Sequence, residues 1–113
     1  MPHLIIEYAE TAVTDIQVDT MMEAVHEAAV STGLFDEANI KTRAIPLRYY
    51  HLGRNGGGFI YVQCRIHTGR SDEQKRKLSE SLLAALCDMP LSVKETTVEV
   101  VEMDSSSYTK HVS

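Results

Sequence analysis

A chain of 113 residues with 43% hydrophobic content has the length of one domain and too many apolar side chains for a disordered one. Its formal charge of −5 and pI near 5.4, with no strongly basic patch, exclude the electrostatic footprint of nucleic-acid binding. A domain this short leaves much apolar surface uncovered, so self-association is expected. Two cysteines, Cys64 and Cys87, stand outside any CxxC spacing and away from any Cys/His cluster, so neither a disulfide framework nor a zinc site is predicted. No apolar run approaches the roughly 18 residues of a membrane span. Met1-Pro2-His3 lacks the basic-then-apolar order of a secretory signal, and a cytoplasmic protein with no membrane contact is expected.

Leu4-Ile5-Ile6-Glu7-Tyr8 reads as a short strand beginning almost at the chain start. Thr20 and Glu23 form a capping-box pair, Met21, Met22, Val25, Ala28 and Ala29 recur at helical spacing, and Gly33 is a natural stop. Ile40 to Ile45 alternates, with Ile40, Thr42 and Ala44 on one face and Lys41, Arg43 and Ile45 on the other. Pro46, having no N–H for a ladder, is expected to interrupt or bend this strand before it continues toward Leu52. Gly53-Arg54-Asn55-Gly56-Gly57-Gly58 is a turn. It leads into a strand from Phe59 to His67 with Ile60, Val62, Cys64 and Ile66 on one face.

Ser71 with Gln74 makes a second capping box, and Asp72 and Glu73 suit the positive end of a helix dipole. Leu78, Leu82, Ala85 and Leu86 are the apolar stripe of this helix, Pro90 ends it, and Thr96 to Met103 is a last strand before a polar tail. The order is β-α-β, turn, β-α-β: a single domain over 1–113 with repeat halves 2–52 and 58–104. The predicted class is α/β (α+β), a four-stranded mixed sheet with both helices on one face. Tyr61, Gln63, Arg65 and His67 fall on the other face, where a second copy is expected to cover them.

Pro2 follows the initiator and leads straight into a strand, so the sheet can aim it. With Met1 removed, its nitrogen would be a secondary amine able to take a proton, and burial and nearby positive charge would lower its pKa toward neutrality. The five histidines are scattered and none stands at metal-ligand spacing, so no metal is predicted. Gly56-Gly57-Gly58 precedes a strand rather than a helix, which argues against a phosphate cradle; Arg48 and Arg54 beside it are candidates for extra carboxylate contacts.

Gly69-Arg70-Ser71-Asp72-Glu73-Gln74-Lys75, followed by Leu78, Pro90-Leu91, Val93 and Glu102-Met103, resembles the strand-to-helix turn and second half of 4-oxalocrotonate tautomerase. Pro2-His3-Leu4-Ile5-Ile6-Glu7-Tyr8, together with Gly69-Arg70-Ser71 and the tail Ser107-Tyr108-Thr109-Lys110, is similar to the 5-carboxymethyl-2-hydroxymuconate Δ-isomerase family. The resemblance implies a tautomerase-like fold in which two β-α-β units are fused, a homotrimer, and a cofactor-independent isomerase of aromatic-acid breakdown. The implied substrate is a small anionic di- or tricarboxylate of the 2-hydroxymuconate type.

In the implied site Pro2 is the base and later the acid, Arg70 holds a substrate carboxylate, and Arg43 binds the oxo or hydroxy end. Tyr108 is an aromatic that keeps the site apolar. Comparing the halves, Ala12 is expected at the place of Arg70, Thr97 at that of Arg43, and a residue close to Ile60 at that of Pro2, so one site per chain is expected. The family's usual sequence is replaced at Leu52 to Gly58, and His111 stands near a missing tail asparagine, which bears on the substrate. Two other readings stand beside this one: another tautomerase, acting on phenylpyruvate enol or a different 2-hydroxydienoate, and a non-catalytic trimeric binding protein.

Overall fold

A computed structural model describes all residues, Met1–Ser113. Strand β1, His3–Ala9, alternates half-buried and buried positions, and Leu4, Ile6 and Tyr8 turn to the core. Helix α1, Asp15–Ser31, follows a short 3-10 turn, and strand β2, Lys41–Leu47, returns parallel to β1. The second half repeats the arrangement, with β3 at Phe59–Ile66, α2 at Asp72–Cys87 and β4 at Glu95–Glu102 parallel to β3. The two units meet antiparallel along β1 and β3, giving one mixed sheet in the order β2-β1-β3-β4. This is the four-stranded, two-helix sheet expected from the two halves.

One sheet face carries the core. Leu4, Ile6, Ile60, Val62, Cys64 and Ile66 are fully buried against Met21, Val25 and Ala29 of α1 and Leu78, Leu82 and Leu86 of α2. Cys64 lies deep enough for burial to push its thiol up to about 12, so it packs as a small apolar group. The opposite face carries Ile5, Arg43, Ile45, Tyr61, Gln63, Arg65 and Val101, half-buried or exposed, with no helix over it. There Tyr61 donates to Glu99, and that bond holds the phenol above its ordinary pKa.

Three local expectations are corrected. Helix α1 begins before Thr20: its cap is Thr14, whose hydroxyl accepts from the Gln17 N–H at 3.2 Å while Gln17 Oε1 accepts from the Thr14 N–H at 3.0 Å. The added first turn has Ile16 82% exposed, so it lacks the apolar period that marks the later turns. Thr20 is an interior residue whose hydroxyl bonds back to the Ile16 carbonyl at 3.2 Å. Pro46 does not interrupt β2, because β2 is an edge strand with one side free of ladder bonds. The strand then ends at Leu47 rather than running on toward Leu52. The second capping box stands as expected, with Ser71 and Gln74 exchanging bonds at the start of α2.

Candidate active site

The start of β1, the turn before α2 and the tail after β4 converge on one cleft of about 280 Å³. Its walls include Met1, Phe35, His67, Arg70, Tyr108 and Lys110. Pro2 is fully buried beside it, and its carbonyl accepts from the Lys41 N–H at 3.0 Å, which ties the chain start to β2. The methionine amine ahead of it is pushed down to about 6, first by burial and then by Lys41 and Lys110. Pro2 nitrogen is an amide while Met1 is attached, so it has no basic lone pair in this form.

Arg70 leaves the residue before the α2 cap and lies over the Phe35 ring at 5.4 Å, donating to the Leu34 carbonyl at 2.7 Å. One edge of its guanidinium is fixed by the segment after α1, and the planar fork has further donors. Lys110 is held by Asn39 Oδ1 at 3.1 Å, so the tail brings a second cation to the same cleft. Asp36 also lines it, but its carboxylate accepts from the Ala38 N–H and caps a short 3-10 turn.

Tyr108 is the centre of a polar chain. Its hydroxyl lies 3.0 Å from His3 Nε2, and Arg43 reaches His3 Nδ1 at 3.2 Å. An arginine can only donate, so Nδ1 is the acceptor and the neutral ring carries its proton on Nε2. That proton is given to the Tyr108 oxygen, leaving the Tyr108 O–H free to donate elsewhere. The pKa of His3 is lowered, first by burial and then by Arg43, the chain-start amine, Lys41 and Arg65, which favours this neutral form. The Tyr108 ring also meets the His67 ring edge-on, with centroids 5.0 Å apart, and His67 Nδ1 lies 3.0 Å from Ser105 Oγ.

Of the four residues named from the sequence, Arg70 and Tyr108 line one cleft, and Pro2 is buried directly behind Met1, which lines it. Arg43 does not line it: its guanidinium is exposed on the open sheet face and connects to the cleft only through His3. Lys110 was visible in the tail motif without a role. Phe35, Asn39 and the cleft position of His67 carried no local signal. His67 lies just past the end of β3, at the cleft rather than on the open face. No group of three or more His, Cys, Asp or Glu side chains comes together as a metal site.

Residues 2–112 match the family model described as 5-carboxymethyl-2-hydroxymuconate isomerase. The chain belongs to this family. Solved structures agree on the fold. A 5-carboxymethyl-2-hydroxymuconate isomerase from Deinococcus radiodurans R1 superposes with a TM-score of 0.82 at 22% identity, over 97% of this chain and 88% of that one. A 5-carboxymethyl-2-hydroxymuconate delta-isomerase gives 0.78 at 17% identity, over 100% and 89%. A fused 4-OT solved as a symmetric trimer gives 0.75 at 17% identity, over 89% and 85%. No curated protein sequence matches the chain. Membership of the 5-carboxymethyl-2-hydroxymuconate isomerase family makes it a tautomerase-superfamily chain. No helix is long and apolar enough to cross a membrane.

Proposed function

We propose that this protein is a cofactor-independent isomerase that moves a proton on a 2-hydroxymuconate-type dienol acid. Within that class it is read as a 5-carboxymethyl-2-hydroxymuconate Δ-isomerase whose working form begins at Pro2. The observation that supports the proposal is the cleft itself, whose walls bring Met1, Arg70, Lys110 and Tyr108 together, so that a chain beginning at Pro2 would start beside two cations and a neutral donor.

In this mechanism the free Pro2 amine takes the acidic hydroxyl proton of the dienol. The O–H bond breaks, a C=O forms, the double bonds shift, and the protonated amine returns the proton to the vinylogous carbon as a new C–H bond. No net oxidation occurs and no second reactant is consumed. Arg70 holds the distal carboxylate in its fork, and Lys110 adds fixed positive charge. Tyr108 donates its free O–H to the oxygen on which negative charge develops. Arg43 acts through His3 within its own chain. In a homotrimer, for which the open sheet face offers the contact surface, its exposed guanidinium serves the oxo end of a substrate bound to a neighbouring copy.

The test is the chain start. Protein processed to Pro2, with its mass verified, should turn over 5-carboxymethyl-2-hydroxymuconate, and protein verified to retain Met1 should be inactive while keeping the same circular dichroism. Equal rates from the two forms would mean that Pro2 is not the base.

A further inference from the structure

A larger cleft, of about 810 Å³, lies at the other end of the β1–β3 pair, and the function proposed above makes no use of it. Its walls include Thr11, Arg48, Tyr50, His51, Arg54 and Gly58. Although the chain carries a net charge of −5, no aspartate or glutamate lines this cleft. Arg48 and Arg54 form no ion pair and no hydrogen bond within the chain. Arg48 rests over the Tyr49 ring at 5.7 Å and keeps all its donors. Two uncommitted guanidiniums in one concave polar site are an anion receptor by composition.

The internal repeat explains why the cleft is there. Ile6 faces Val62 in the antiparallel pair, and a two-fold turn about that pair lays β1 on β3. Pro2 stands four residues before Ile6, as Gly58 stands four residues before Val62. The entering backbone is anchored alike on both sides: Lys41 N–H donates to the Pro2 carbonyl at 3.0 Å, and Lys94 N–H to the Gly58 carbonyl at 2.8 Å. Tyr50, after β2, meets the Thr11 hydroxyl at 3.1 Å, while Tyr108, after β4, meets His67. The correspondence expected near Ile60 is thus at Gly58. That expected at Ala12 moves to Val13, which precedes the Thr14 cap as Arg70 precedes Ser71.

Gly58 is interior to the chain and has no free amine, so the proton-transfer group is missing here. Its Cα packs so close that a Cβ would come within 2.7 Å of Ala12 Cβ, so a side chain there would force Ala12 aside. What remains is cleft, aromatic and cations without a base. We propose that this is a second, non-catalytic site, which binds a small organic dicarboxylate through Arg48 and Arg54. Planar carboxylates suit the guanidinium fork, whereas a phosphate cradle would need a helix start after the glycines, and β3 follows instead. The inference stands on this cleft alone and does not require the activity proposed above.

The experiment titrates the full chain with cis,cis-muconate, a diacid with no hydroxyl to tautomerise, while following the amide resonances of Gly56, Gly57, Gly58 and Gly69. The Gly56 to Gly58 signals should move in the unaltered protein and equally in Arg70→Ala. In a folded Arg48→Ala/Arg54→Ala double variant their apparent affinity should fall at least tenfold, while Gly69, next to Arg70, still responds. The proposal is overturned if those glycines stay still at millimolar muconate, or if sodium chloride at matched ionic strength moves them as far. It is equally overturned if the double variant binds as before, or if inorganic phosphate competes as well as the diacid.

Discussion

At the scale of single residues, His3 sets what Tyr108 can do. Because Arg43 can only donate, the ring must present a bare Nδ1 to it and an Nε2–H to Tyr108. Nitrogen-detected imidazole spectra should show that single tautomer. His3→Phe keeps a ring but breaks both bonds, and kcat/KM should fall by about tenfold, the worth of roughly one hydrogen bond. His3→Gln offers an acceptor and a donor and should restore most of the loss. The pKa of His3 is lowered, so the folded protein binds its proton less readily than the unfolded chain does. Its contribution to stability is complete above the unfolded value, near 6.5, and is lost as pH falls through the folded one. A base at Pro2 should behave in the same sense. The amine one residue earlier is already pushed down to about 6 by burial, Lys41 and Lys110. The pH–rate profile of the processed protein should therefore rise to a plateau with a pKa below the roughly 8 of a free α-amine. An ascending limb above 8 would remove the proposed role of these surroundings.

At the scale of elements, the cap of α1 separates two readings of the same stretch. Thr14 exchanges bonds with Gln17 at the helix start, whereas Thr20 sits one turn and more inside the helix. Thr14→Ala should cost about 1 kcal/mol in urea unfolding, and Thr20→Ala should change stability by no more than about 0.5 kcal/mol. The reverse ranking would place the helix start at Thr20 after all. Ser71 and Gln74 were readable because a regular apolar stripe, Leu78, Leu82 and Leu86, follows them directly. Thr14 and Gln17 were not, because the turn they open carries exposed Ile16 and Asp15, only half-buried Val18 reaches the core from it, and the first buried residue is Met21.

At the scale of the molecule, the antiparallel meeting of two β-α-β units leaves one sheet face covered by both helices and the other open. The open face carries Arg43, Ile45 and Tyr61, and the homotrimer proposed above has each Arg43 serve a neighbour's cleft. Mixing a Pro2→Ala protein with an Arg43→Ala protein under verified subunit exchange should then recover part of the activity that each has lost. If exchange is confirmed and no activity returns, Arg43 serves its own chain only.

The sequence by itself determined the element types, the two-fold repeat and the cap of α2, and it singled out Arg70 and Tyr108, which line the cleft, and Pro2, which is buried behind its Met1 wall. Those signals are local: alternation of period two, a capping pair three residues apart, and short motifs at Pro2, Arg70 and Tyr108. The tertiary structure alone decided the strand order, and with it the edge position that lets Pro46 stay in β2. It also decided the chain from Arg43 through His3 to Tyr108, since His3 lies 40 residues from Arg43 and 105 from Tyr108 in the chain and only the fold makes them neighbours. The second cleft depends in the same way on where the antiparallel pair puts its axis. Arg48 and Arg54 stand out in the sequence as candidates for carboxylate contacts beside the glycine turn, but Gly58 and Tyr50 join them as one site only once Ile6 is set against Val62.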